Sequence, residues 1–251
     1  MKKLFEFFSM MLVALPAFAD GERAQVQMEV GAESSSLSNG SPDWRAQSLR
    51  ITRKQGPRDV KEVTLTRTNR FGLDDQQISG IYSTPLSDKL TASLGASISA
   101  SHQVLAKYGV EGSLQYEFAP TWLLQGGLAN NRFDKTNVDQ GNLMVERYFS
   151  AFSVSAAWRP VRALGVSSSS YQLRGSYYYG DANFVGVIVG SGRETTSVSA
   201  NSVLLADVRS TALLGSHWLS RHWAVNYAIA SSRQGSFYSR NSISLGAQYF
   251  F

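Results

Sequence analysis

The last ten residues of the chain alternate between two kinds of side chain. One set is apolar and consists of Ile243, Leu245, Ala247, Tyr249 and Phe251. The intervening set is mostly small or polar and consists of Ser242, Ser244, Gly246, Gln248 and Phe250. Because successive residues of a β-strand point to opposite faces, this period of two predicts a strand with one apolar face. Such a strand is typical of a transmembrane β-barrel, where apolar residues face lipid and polar residues face the lumen. The alternative is an edge strand of a soluble β-sandwich.

The same alternation recurs along most of the chain, most clearly where Leu90 to Ser101 alternate between apolar and small polar residues. We count fourteen such segments, or twelve if the region between residues 60 and 84 is misread. They are Ala24–Ser34, Trp44–Arg53, Val60–Arg70, Gln76–Thr84, Leu90–Ser101, Tyr108–Phe118, Trp122–Asn131, Asn137–Phe149, Phe152–Arg159, Tyr171–Gly180, Phe184–Gly192, Val203–Trp218, Trp223–Ser232 and the C-terminal segment. Because an open sheet edge would leave unpaired amides in hydrocarbon, we expect an all-β fold, a closed antiparallel up-and-down barrel.

The N-terminal residues predict export from the cytoplasm. Lys2 and Lys3 precede an apolar run from Phe7 to Leu15, and Ala17 and Ala19 are small residues at the positions expected before a cleavage site. This order is typical of a secretory signal peptide, so we expect a signal peptide over residues 1–19 and a barrel domain over residues 20–251. No later apolar run approaches the ~20 residues that a transmembrane helix needs. The sequence contains no cysteine, which excludes disulfides and thiolate metal sites.

Short connections alternate with longer, polar ones. The short connections are flanked by aromatic residues, which predicts a girdle at the periplasmic membrane interface, since aromatic rings favour that boundary. An alternative is that these aromatics form a sandwich core. The predicted girdle comprises Phe118, Trp122, Phe149, Phe152, Tyr179, Phe184, Trp218, Trp223 and Phe251. The longer connections, predicted to face outside, are Ser35–Asp43, His102–Lys107, Arg132–Thr136, Pro160–Ser170, Arg193–Asn201 and Arg233–Ser239. A further hinge is predicted over residues 71–75.

Local motifs resemble a known family. Arg70-Phe71-Gly72, followed by Asp74-Asp75, Tyr82 and Pro85, resembles the YaiO-like outer-membrane proteins, as does the terminal strand. The resemblance implies a small β-barrel in the bacterial outer membrane. It also implies a link to polysaccharide secretion, because some relatives look like barrels attached to such systems. Ser244, Gly246, Tyr249 and Phe251 resemble the C-terminal strand through which barrel proteins engage the barrel-assembly machinery.

Strand parity predicts which charged residues point into the lumen. The predicted set is Glu29, Arg50, Glu111, Glu117, Glu146, Arg174, Asp207 and Arg209. Its mixed signs, among many Ser, Thr, Gln and Gly residues, indicate a wet, ion-paired interior. A fourteen-stranded barrel lies nearer the ~16–18 strands that enclose an aqueous channel than the ~8 whose interior is filled by side chains. The functional interpretation is a pore for small polar solutes; the alternative is a plugged barrel whose charges only satisfy one another.

Motifs of catalysis are missing from the sequence. It contains no phosphate-binding loop, nucleophile elbow or H-E-x-x-H motif. The three histidines are His102, His217 and His222. His102 adjoins Ser101, but neighbours on a strand point to opposite faces, and the other two lie near a predicted periplasmic turn. We therefore expect no enzyme, no catalytic residue, no cofactor and no metal site.

The formal net charge of +5 falls partly on the predicted outer connections. Such cations could pair with the phosphates of lipopolysaccharide, although solvated loop charge is an equal alternative. The cations are Arg132, Lys135, Arg159, Arg162, Arg193, Arg233 and Arg240. No basic face of a nucleic-acid-binding fold accompanies them, so we expect no nucleic-acid partner. The sequence thus predicts a monomeric outer-membrane barrel, foremost a passive pore for polar solutes. The alternatives are a component of envelope polysaccharide export and an enzyme acting on outer-membrane lipid.

Overall fold

The structure, a computed structural model, describes residues 25–180, 182–199 and 202–251, which form a barrel of fourteen antiparallel strands. Each strand pairs with its sequence neighbours, and the first pairs with the last. This confirms the predicted fold; the predicted signal peptide, residues 1–19, lies outside the described residues and stays a prediction. The strands are β1 Gln25–Leu37, β2 Trp44–Lys54, β3 Val60–Arg70, β4 Leu73–Pro85, β5 Leu90–Ser99, β6 Tyr108–Ala119, β7 Trp122–Arg132, β8 Asn137–Phe149, β9 Phe152–Ala163, β10 Val166–Tyr179, β11 Asn183–Ser199, β12 Ser202–Trp218, β13 Trp223–Gln234 and β14 Tyr238–Phe250.

The barrel closes through an unbroken ladder between β1 and β14, which runs from Gln27 opposite Phe250 to Leu37 opposite Arg240. Each described strand therefore has a neighbouring strand on both sides, so the sheet has no open edge, as a hydrocarbon environment requires. The even strand count places Gln25 and Phe250 at the same end of the barrel, called here the terminal end. The opposite end, called the far end, carries residues 38–43, 71–72, 100–107, 133–136, 164–165 and 235–237 as connections.

Side chains alternate between the two faces of the wall. The outward set is apolar and exposed in the isolated chain, as for Leu94 at 67% and Leu128 at 75%. The inward set is smaller, more polar and more buried: Ser83 and Ser93, on adjacent strands, approach with their hydroxyl oxygens 2.7 Å apart. This arrangement is typical of a membrane barrel, where lipid solvates the outward face.

Two regions predicted as long polar connections are strands. Residues 160–170 contain the ends of β9 and β10, which turn at Leu164 and Gly165, and residues 193–199 continue β11. The prediction of loops there is wrong because the outward residues of these segments are polar, so the alternation of polarity fades. The inward face still carries an apolar signal, since Val161 and Ala163 are buried.

The β3–β4 connection consists of Phe71 and Gly72 alone, and both have positive φ angles of 52° and 75°. Two consecutive positive φ angles define the type I′ turn that matches the twist of paired strands, and glycine adopts the second at low cost. The predicted hinge over residues 71–75 is therefore too long, because Leu73, Asp74 and Asp75 belong to β4. In the described part of the chain no helix is long and apolar enough to cross a membrane.

Gly192 marks a close approach between β10 and β11. Its φ angle is 148°, and an added Cβ would contact Ser170 Cα and lie 2.6 Å from the carbonyl oxygen of Ser169. We expect Gly192→Ala to destabilise the barrel by about 1–3 kcal/mol, because it forces backbone apart and adopts a strained φ. The measurement is the guanidinium unfolding midpoint of the protein refolded in phospholipid vesicles.

The matched control for this prediction is Gly126→Ala on β7, where an added Cβ meets nothing within 4 Å. Its unfolding midpoint should stay near that of the unmodified protein. Equal midpoints for the two variants would contradict the prediction, because they would show that β10 and β11 accommodate the added Cβ without loss of stability.

Candidate functional site

Most of the predicted lumen charges lie on the inward face: Glu29, Arg50, Glu111, Glu117, Glu146 and Arg174. The best connected is Arg50, whose guanidinium lies 3.5 Å from Glu29 and 3.2 Å from Glu62. Gln248 donates to the same Glu29 carboxylate at 2.6 Å. Thr52 donates to Glu62 at 3.2 Å. This network, the Arg50 network, joins β14, β1, β2 and β3. It leaves one carboxylate in excess. Glu62 was missing from the prediction although its parity on β3 places it inward.

Asp207 and Arg209 lie on the outward face, and their prediction as lumen residues is wrong. The side chain of Asp207 is 88% exposed and its carboxylate lies 3.9 Å from the Arg193 guanidinium. Their neighbours Ala206 and Val208 are the buried, inward residues. The assignment assumed that polar residues face the lumen, and this assumption fails on β12 because its inward side is apolar.

The inward face of β11 to β13 is an apolar wall. Phe184, Ile188, Ala212, Leu214 and Ala228 pack together there, each less than 10% exposed. The predicted wet, ion-paired interior is therefore wrong for this sector. The lumen has a polar side over β1 to β3 and an apolar side over β11 to β13.

The terminal end carries an outward aromatic girdle that includes Phe118, Trp122, Phe149, Phe152, Tyr179, Trp223 and Phe251. Two residues predicted for this girdle point inward instead. Phe184 is only 6% exposed and belongs to the apolar wall, and Arg174 lies 5.7 Å above its ring. Trp218 stacks on Phe250, with the ring centres 4.1 Å apart. Phe250 lies on the same inward face of β14 as Gln248, two residues before it. Both follow from strand parity, which a turn between two aromatics does not reveal.

The C-terminal strand residues Ser244, Gly246 and Tyr249 lie within β14, and Phe251 follows it directly. Ser244 and Gly246 pair with Glu33 and Gly31 of β1 in the ladder that closes the barrel. Their recognition by the assembly machinery stays a prediction.

The histidines form structural contacts. His217 lies on the outward face, with its two ring nitrogens 2.6 Å from the Tyr179 hydroxyl and 3.2 Å from the Tyr227 hydroxyl. His102 Nε2 lies 2.8 Å from an Asp134 carboxylate oxygen at the far end. The neighbouring Ser101 hydroxyl donates to the carbonyl oxygen of Asp74. Among the described residues, no three His, Asp or Glu side chains come together as metal ligands would.

The β5–β6 connection, residues 100–107 and called here the inward loop, folds into the far end of the barrel. Val104, Leu105 and Ala106 are buried. The fully buried carboxylate of Asp75 on β4 accepts hydrogen bonds from the backbone N–H groups of Gln103 at 3.1 Å, Val104 at 2.6 Å and Leu105 at 2.6 Å. Ser99 holds the loop as well, because its hydroxyl donates to the carbonyl oxygen of Ala106 at 2.6 Å.

The tip of the inward loop packs against a cluster from distant strands. Val104 and Leu105 join Leu37 of β1, Trp44 of β2 and Tyr238 of β14. The loop leaves the barrel wall between β5 and β6. Since its contacts lie on β1, β2 and β14, it extends past β4 and β3 to the place where β1 pairs with β14. The sequence prediction treated residues 102–107 as a polar outer loop. Its run of three apolar residues, 104–106, is the signal that could have indicated burial.

A second apolar cluster narrows the far end near β8 and β9. Val138, Val161 and Ala163 point inward and are covered by Phe133 of the β7–β8 connection and Leu205 of β12.

Two cations predicted for the outer rim also point inward. Arg240 is 4% exposed, and Arg159 donates to the Asn142 side chain at 3.3 Å. The remaining predicted rim cations are exposed: Arg132, Lys135, Arg162, Arg193 and Arg233.

A closed barrel with an apolar outward band, an aromatic girdle and a partly polar lumen defines the class of outer-membrane β-barrel proteins. The chain belongs to the YaiO family, because the YaiO membrane beta barrel domain matches residues 25–197. It is a protein of the bacterial outer membrane. No protein of curated function matches its sequence.

Solved structures with similar folds include porins and channels of low sequence identity. The CymD monoaromatic hydrocarbon channel aligns with a TM-score of 0.60 at 10% identity, over 92% of this chain and 88% of that chain. Omp33 of Acinetobacter baumannii aligns with a TM-score of 0.57 at 10% identity, over 90% and 99% of the two chains. An anion-selective porin from Comamonas acidovorans aligns with a TM-score of 0.50 at 12% identity, over 92% and 100%. At this identity the similarities establish the fold.

Proposed function

We propose that this protein is a passive pore for small polar solutes whose far end is narrowed by the inward loop. The observation that carries the proposal is the polar strip on the inward face of β1 to β3. It runs from the last residue of β2 at the terminal end to the last residue of β3 at the far end. The strip contains Lys54, Glu62, Arg50, Glu29, Thr64, Glu33, Ser35, Thr68 and Arg70.

The partly exposed charges of the strip support a pore because they offer hydrated solutes hydrogen-bonding partners of both signs. Toward the far end the polar residues of the strip, Ser35, Thr68 and Arg70, are buried. Arg50 with Glu29 and Glu62 forms its middle, where charges are partly exposed to the lumen and only partly neutralised. Fourteen strands also enclose more space than the ~8 whose interior side chains fill the bore.

The far-end closure supports a pore that opens and closes. The inward loop is a connection and not part of the strand ladder, so it can move without breaking the barrel. Its attachment depends on Asp75 and on apolar packing of Val104 and Leu105. Loss of these contacts would release the loop and leave the strand ladder intact.

The test is single-channel recording from the refolded protein in planar lipid bilayers. We expect discrete current steps, which a heat-unfolded aliquot of the same preparation should lack. A barrel that is folded by circular dichroism and by heat-dependent gel mobility, yet silent after insertion, would contradict the pore.

A further inference from the structure

Two buried arginines flank one tryptophan beneath the inward loop. Arg70 of β3 and Arg240 of β14 are 3% and 4% exposed. Their guanidinium carbons lie 4.9 Å and 5.2 Å from the ring centre of Trp44, within cation–π distance. The inward residues of three neighbouring regions of wall therefore concentrate positive charge at the narrow end of the lumen.

Two residues of this group, Trp44 and Arg240, carry buried donors that lack a partner. Trp44 Nε1 and the Nε and Nη1 atoms of Arg240 are buried and have no hydrogen-bond acceptor among the described residues. A cation–π contact uses the face of the ring and does not satisfy N–H groups that lie in the guanidinium or indole plane. A buried donor left unpaired destabilises the fold, so three in one place indicate a missing acceptor.

Two acids, Glu33 and Asp75, act on the arginines. Glu33 interacts electrostatically with both of them, and it accepts a hydrogen bond from Ser35 at 3.0 Å. Asp75 interacts electrostatically with Arg70 and also accepts three hydrogen bonds from the backbone of the inward loop. Neither carboxylate accepts a hydrogen bond from the buried donors of Trp44 and Arg240 named above.

We propose that Arg240, Arg70 and Trp44 bind an oxyanion, the carboxylate or phosphate group of a solute, at the far end of the lumen. Arg240 and the Trp44 indole donate hydrogen bonds to it, and Arg70 contributes charge. The inference rests on the proposed pore and names its solute class as anionic. The loop tip, Val104 and Leu105, covers the site, so an anion bound there lies at the constriction.

The test measures binding apart from conduction. Sodium phosphate and sodium acetate are added separately, at constant ionic strength against chloride, to the full barrel refolded in vesicles, and the thermal unfolding midpoint is followed. We expect one or both anions to raise the midpoint. Phosphate alone identifies a phosphate group as the ligand, acetate alone a carboxylate, and both the shared oxyanion chemistry. No response to either anion would overturn the proposal.

Variants assign the response to the site. Arg240→Gln should raise the anion concentration needed about ten-fold or more, as expected for loss of a charged hydrogen bond. Trp44→Phe keeps the aromatic face but lacks the N–H and should weaken binding less; it also serves if Arg240→Gln fails to fold. Arg233→Gln, which alters an exposed outward arginine on β13, is the matched control and should respond like the unmodified protein.

The same variants separate the two proposals. If the protein binds anions through Arg240 and yet carries no current, the anion site is supported and the pore is contradicted. If the protein conducts and its anion response is unchanged by both Arg240→Gln and Trp44→Phe, the pore is supported and the anion site is contradicted.

Discussion

Asp75→Ala should turn the narrowed barrel into a wide one, with a single-channel conductance several-fold above that of the unmodified protein. The Asp75 carboxylate accepts all three hydrogen bonds that fix Gln103, Val104 and Leu105. Each bond to a charged group contributes about 1.5–3 kcal/mol, so in the alanine variant only apolar packing and the Ser99 hydrogen bond to Ala106 still hold the loop. The strands keep their ladder, and the current should become larger and noisier as the loop samples open positions.

The conservative variant and a neighbour control this experiment. Asp75→Asn keeps one acceptor oxygen and should give an intermediate conductance. Asp74→Asn alters the adjacent, outward carboxylate, which pairs with Arg67 on the outer surface, and should conduct like the unmodified protein. A folded Asp75→Ala barrel with unaltered conductance would mean that the inward loop does not limit the bore.

Arg50→Gln should make the pore markedly more selective for cations. Arg50 is the cation between Glu29 and Glu62, and all three side chains are partly exposed to the lumen. Removing Arg50 makes the net charge of the network more negative by one unit. Two carboxylates then face the solute path. Since the field of uncompensated charges concentrates counter-ions in a narrow passage, cation permeability should rise severalfold relative to anion permeability. The measurement is the reversal potential in a potassium chloride gradient.

The control for selectivity lies three residues further along the same strand. Arg53 is exposed on the outward face of β2, so Arg53→Gln removes an equal charge without touching the lumen. Its reversal potential should match that of the unmodified protein. If both variants shift the potential alike, the bulk charge of the barrel sets selectivity and the Arg50 network does not.

The fold was readable from sequence because lipid and water impose opposite polarity on alternate residues. Within the membrane this gave β8 its observed bounds, Asn137–Phe149. Beyond the outward apolar band, as in Ser167 to Ser170, alternation is weak, and the continuation of β10 was missed. On β12 both faces carry apolar residues, so the parity of Asp207 was assigned to the wrong side.

The candidate site was less accessible to such reasoning. The bonds from Asp75 to the inward loop join residues 28–30 positions apart, and periodicity carries no information about them. The contacts of Trp44 with Arg240 join opposite ends of the sequence through barrel closure. Strand parity does place Arg70 and Arg240 inward, but only the closed ladder brings them to one indole.

Phe184, Ile188 and Leu214 offer water no hydrogen-bonding partner. In the proposed pore, water should therefore lie along the opposite wall and be sparse beside these side chains. The volume open to electrolyte should then be smaller than the backbone diameter of fourteen strands implies. A solute with one apolar side and one charged side should cross in a single orientation, because the two sides of the bore differ in polarity.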